Sequence, residues 1–69
     1  MKNRIRELRK SKRLTTVELA NIAEISQSYL SELEQGLKTP TIPIARRIAK
    51  ALGCELNDVF PEEYEHSKV

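Results

Sequence analysis

Apolar residues along this chain recur at three- and four-residue intervals rather than in alternation, which predicts helices and no strands. Ile5 and Leu8 lie on one face among long charged side chains of good helix propensity, with no Gly or Pro interrupting, and mark a first helix over 3–12. Leu14-Thr15-Thr16-Val17-Glu18 reads as a capping box, in which the Thr15 hydroxyl accepts from the Glu18 amide and the Glu18 carboxylate returns to Thr15. A second helix therefore spans about 15–23, with Leu19, Ala20 and Ala23 inward. Ser26 is a good N-cap, Leu30 and Leu33 follow in register, and Gly36 is able to close a third helix left-handed, over about 26–35. Thr41 caps a fourth helix whose Pro43 falls in the first turn, where a missing N–H costs little. Its stripe of Ala45, Ile48, Ala49 and Leu52 is the clearest periodicity in the chain, and Gly53 ends it. Leu56, Val59 and Phe60 fit a short fifth helix before Pro61, after which 62–69 is polar and has no core face.

Five short helices with short connections make an all-α bundle over 1–61 with a polar C-terminal tail over 62–69. A chain of 69 residues leaves room for one domain and buries only roughly 60% of its unfolded surface. No apolar run approaches the roughly 18 residues of a spanning helix, and no apolar stretch follows the N-terminal basic residues as in a signal peptide. A cytoplasmic protein without a membrane partner is expected. Cys54 is the single cysteine and sits in Ala51-Leu52-Gly53-Cys54, where a thiol behaves as a small buried hydrophobe. His66 is the single histidine, so the set needed for a zinc cluster or a Ser-His or Cys-His pair is incomplete. Neither enzyme chemistry nor a cofactor or metal is expected.

Charge is zoned more strongly than its net value of +2 suggests. Residues 1–13 hold seven basic and one acidic side chain, 14–36 hold four acidic and none basic, 37–50 add four basic, and 51–69 hold five acids against Lys68. Such zoning suits a phosphate-backbone partner, and it equally suits a solvated face. Composition does not choose between them.

The second and third helices are separated only by Glu24 and Ile25, which forces a steep crossing and leaves the third helix's outer face free. That face is almost purely hydrogen-bonding: Gln27, Ser28, Ser31 and Glu32, with Tyr29. LTTVELANIAEISQSYLSELEQG followed by TPTIPIARRIAKALGCELNDVF resembles the Cro/repressor-type (Xre-like) helix-turn-helix family over about residues 4–60. Leu-Thr, Glu-Leu-Ala, a turn, Ser, Leu, Glu-x-Gly, Pro and Ile-Ala-x-Ala-Leu-Gly appear in that family's order and spacing. The resemblance implies a lambda-repressor-like domain whose third helix enters the major groove of double-stranded DNA, as a homodimer on a two-fold symmetric operator. Three departures stand out: Thr16 replaces a common glutamine, Arg13 and Glu24 occupy turn positions that often hold glycine, and the third helix carries no Lys or Arg.

On this basis Gln27 matches N6 and N7 of adenine, Ser28 serves a base or a phosphate, and Ser31 and Glu32 lie one turn on. Glu32 either accepts from cytosine N4 or repels phosphate at wrong sites. Tyr29 offers its ring to a thymine methyl or its hydroxyl to a phosphate. Phosphate contacts are expected from the Thr15 and Thr16 amides at a helix N-terminus and from Lys38 and Thr39 after the third helix. For Arg9 and Glu34 the resemblance implies a buried salt bridge, whereas Arg46 and Arg47 are either solvated or reach the backbone. Leu56, Val59 and Phe60 are expected to be core in part and dimer interface in part, with half-sites about 34 Å apart. A transcriptional repressor is the function this implies. The competing reading is a protein-interaction module such as an antitoxin, served by Ile22 and Leu37; a basic segment docking on membrane has only Ile5 and Leu8 for anchorage.

Overall fold

Helix boundaries follow the caps written into the chain. In the computed structural model, which describes residues 3–61, the elements are α1 Ile5–Ser11, α2 Thr16–Ala23, α3 Gln27–Glu34, α4 Ile42–Leu52 and α5 Leu56–Val59. The predicted polar tail, including His66, lies outside the described residues. Thr15 Oγ1 accepts from the Glu18 amide at 3.1 Å while Glu18 Oε1 accepts from the Thr15 amide at 2.8 Å, completing the capping box of α2. Ser26 Oγ caps α3 by accepting from the Tyr29 amide at 3.0 Å, and Thr41 Oγ1 caps α4 by accepting from Ile44 at 3.4 Å. α1 starts later than periodicity suggests, because Asn3 uses its side chain elsewhere. Its Oδ1 accepts from the Ile5 amide at 3.0 Å and its Nδ2 donates to the Leu33 carbonyl at 2.7 Å, so Asn3 ties α1 to α3 instead of extending the helix.

The first four helices end in one device. Arg13, Glu24, Gly36 and Gly53 take left-handed conformations, with φ of 59°, 61°, 78° and 69°. The residue after each donates its amide back to a carbonyl five positions earlier: Leu14 to Arg9, Ile25 to Ala20, Leu37 to Glu32 and Cys54 to Ala49, at 2.9–3.0 Å. This is the Schellman motif, which satisfies the carbonyls that a helix end leaves without partners. Glycine adopts the conformation freely, whereas Arg13 and Glu24 each accept a cost of about 1–2 kcal/mol. Leu14, Ile25 and Cys54 are then drawn against the core, while Leu37 stays 68% exposed.

Around α2 the core assembles Ile5, Leu19, Ala20, Ala23, Leu30, Leu33, Ala45, Ile48, Ala49, Leu52, Val59 and Phe60. α2 packs on both α3 and α4, and α5 closes over α4; alanines on α2 and α4 permit close approach. The start of α1 meets α5 where the Arg4 amide donates to the Val59 carbonyl at 2.8 Å. Val59 and Phe60 are completely buried within this core, which removes them from any surface offered to a second copy. Leu56, half-buried, is the one member of that expected dimer set with side chain left at the surface. Cys54 is also half-buried rather than enclosed, since Gly53 turns the chain out of α4 there and leaves Sγ near the Leu52 carbonyl at 3.5 Å. No helix among the described residues is long and apolar enough to cross a membrane.

Relieving the left-handed strain at Glu24 has a readable effect. Its carboxylate is largely exposed and reaches Arg47 only at 3.9 Å, so little is lost with it. Glu24→Gly is expected to raise the free energy of unfolding in urea by about 0.5–1 kcal/mol, the relieved strain less the added freedom of the unfolded chain.

Candidate nucleic-acid interface

Leu30 and Leu33 anchor α3 inward, so the opposite face of that helix is presented to solvent. Gln27 and Ser28 are exposed, Ser31 and Glu32 are half-exposed, and the four line one shallow groove together with Gln35. Gln35 is a member that sequence reasoning missed. It terminates α3, and its Nε2 donates to Ser31 Oγ at 3.3 Å; a four-residue spacing from Ser31 was the available signal. The face carries amides, hydroxyls and a single carboxylate, so it is able to match donor and acceptor patterns on base edges but brings no cation of its own.

Tyr29 departs from expectation. Its ring is half-buried and packs against the core beside Leu30, so it is in part a structural residue. The Thr15 amide is likewise unavailable to an anion, because the Glu18 carboxylate already accepts from it. Thr16 and Val17 supply the first amides of α2 that have no acceptor within the helix, at its positive dipole end. Val17, 47% exposed at that end, carried no signal in the hydrophobic pattern.

On the far side of the groove the turn after α3 carries Lys38 and Thr39, both exposed. Lys38 Nζ lies 3.5 Å from Glu32 Oε1, which brings a predicted phosphate contact and a predicted base contact together. Arg47 faces Glu24 at 3.9 Å, and Arg46 lines a separate groove with Cys54, Glu55 and Leu56. At the N-terminus Arg4 is engaged with Glu7 at 3.0 Å. The hydrogen bond and charge of Arg4 hold the Glu7 carboxyl below its ordinary range, and Glu7 in turn raises Arg4. Among the described residues no group of three or more His, Cys, Asp or Glu is gathered to hold a metal ion.

What fixes the direction of α3 is a charged clamp at its far end. Arg9 Nε donates to Glu34 Oε2 at 2.8 Å and Nη2 to Oε1 at 3.4 Å, while Nη1 donates to the Leu14 carbonyl at 2.9 Å. The Arg9 and Glu34 side chains are only 11% and 4% exposed, and Arg6 approaches the same carboxylate at 3.6 Å. One guanidinium thus ties α1, the turn into α2 and the end of α3 together.

The helix-turn-helix family model matches residues 5–59. The chain is 37% identical over 60 residues to the immunity repressor protein of Bacillus phage phi105, covering 87% of this chain and 42% of that protein. It is 41% identical over 61 residues to an uncharacterized HTH-type transcriptional regulator of Methanothermobacter thermautotrophicus, covering 87% and 88%. Among solved structures it superposes with a TM-score of 0.77 on the restriction-modification controller protein C.AhdI of Aeromonas hydrophila, at 31% identity over 80% of this chain and 83% of that one. The chain spans less than half the length of the phage repressor and of the DdrOP3 regulator of Deinococcus deserti, 42% and 44%.

Breaking the clamp should cost stability. Arg9→Ala leaves the Glu34 carboxylate buried with only Arg6 beside it and is expected to lower unfolding free energy by about 2–3 kcal/mol, measured by urea denaturation. Arg9→Lys should recover only part of the loss, because an ammonium cannot fork between a carboxylate and a carbonyl in the same way.

Proposed function

The chain belongs to the Cro/repressor-type (Xre-like) helix-turn-helix family, and from that membership we propose that it is a sequence-specific regulator of transcription that binds double-stranded DNA. It acts in the cytoplasm as a repressor, by occluding a promoter, and binds as a homodimer to a two-fold symmetric operator. The observation that carries this reading is the outer face of α3, where Gln27, Ser28, Ser31 and Glu32 stand together in one groove on a helix clamped by Arg9 and Glu34. Gln27 at the first turn reads adenine through its amide, and Ser28 serves a base or a phosphate. Ser31 and Glu32 read one turn further on. Thr16 meets the backbone through its amide, and Lys38 and Thr39 meet it from the turn after α3. With no cation on α3, affinity comes largely from those flanking groups, from helix dipoles and from pairing of two copies, and α3 supplies discrimination. Leu56, half-buried, serves that pairing.

A second reading is favoured by Ile22 and Leu37, which are 55% and 68% exposed and suit contact with a protein such as a toxin partner. Selection from random duplex DNA separates the two. A regulator returns a two-fold symmetric consensus, and an interaction module returns nothing reproducible. On the selected operator, Gln27→Ala is expected to weaken binding by about 1–3 kcal/mol and to relax one position of the consensus. Sedimentation of the chain on that operator should give two copies per site, and one copy would remove the dimer from the proposal.

A further inference from the structure

The turn after α3 folds back on the helix it leaves. Gly36 goes left-handed, the Leu37 amide donates to the Glu32 carbonyl at 2.9 Å, and Lys38 Nζ comes to 3.5 Å from Glu32 Oε1. Glu32 is therefore engaged through its backbone by one residue of the turn and through its carboxylate by the next. It is also the one charged side chain among those lining the α3 groove. We propose that Lys38 is a positioning residue for Glu32, holding its carboxylate toward the exocyclic amine of a cytosine in the operator. This rests on the DNA-reading function proposed above.

Chemistry narrows what Glu32 reads. A carboxylate only accepts hydrogen bonds, and the major groove offers it donors at cytosine N4 and adenine N6. Adenine presents the acceptor N7 beside N6, which repels a second carboxylate oxygen and leaves cytosine as the match. An isolated carboxylate between two phosphate backbones would be driven outward. An ammonium on Oε1 cancels that repulsion and leaves Oε2 for the base. In the free protein the two side chains are 55% and 40% exposed, so the pair adds little to the fold and its loss leaves the fold intact. Against DNA, where water is displaced, the same attraction strengthens.

The test uses the full chain, the operator it selects, and duplexes altered at the base pair where Glu32→Gln changes preference. Anisotropy titrations are expected to show that Lys38→Ala loses preference for cytosine at that pair by about tenfold, as Glu32→Gln does. Lys38→Arg is expected to keep the preference. In the Glu32→Gln background, Lys38→Ala should alter no preference, only overall affinity. Circular dichroism should show all variants folded alike. Lys38→Ala weakening every duplex by one factor with the cytosine preference intact would overturn the proposal, leaving Lys38 a phosphate contact alone. Failure of Glu32→Gln to change any preference would also overturn it. A wild-type chain that selects no sequence removes the DNA-reading function, and this inference with it.

Discussion

The orientation of α3 depends on one guanidinium. The Arg9 guanidinium donates in three directions, to both oxygens of Glu34 and to the Leu14 carbonyl, from a site almost closed to water. Apolar packing alone holds α3 weakly in rotation, because Leu30 and Leu33 supply its only fully buried side chains. A forked, charge-assisted contact at the end of the helix is directional where dispersion is not. Asn3 reinforces it with a bond to the Leu33 carbonyl, so the same end of α3 is gripped by two polar side chains from the start of the chain. These contacts lie at the end of α3 away from Gln27 and Ser28.

Much of this was legible beforehand, and the reasons differ by element. Helix starts were readable because a cap is local: Thr15 with Glu18, Ser26 and Thr41 each act within three residues. α5 hid its cap, an Asp58 carboxylate accepting from the Glu55 amide at 3.1 Å, since Glu at an N-cap is an uncommon signal. Glycines announced two of the four left-handed closures, while Arg13 and Glu24 gave no compositional sign and were known as turn positions only through family resemblance. Arg9 and Glu34 lie 25 residues apart, a separation at which no periodicity connects two charges. Spacing does not say how completely neighbouring elements cover a residue, so it could not foretell the full burial of Val59 and Phe60 or the half-burial of Tyr29.

Charge follows a division that net values conceal. Cations of the N-terminal zone are partly paired within the protein: Arg4 with Glu7 at the surface, Arg6 and Arg9 with Glu34. The third helix is left with carboxylates, one turned into the clamp and one facing the groove. Under the proposed function, long-range attraction and short-range discrimination fall on different segments and are separable by substitution.

The helix closures differ in how far a substitution after them reaches the core. Three of them lead an apolar residue into the core, so altering Leu14, Ile25 or Cys54 disturbs packing as well as the turn. After α3 the corresponding residue, Leu37, points into solvent, and the next two are exposed as well. The segment from Leu37 to Thr39 is thus released from the demands of the interior while remaining anchored by Gly36 before it and the buried Pro40 after it. A substitution there alters the surface beside the α3 groove without disturbing the packing of the interior.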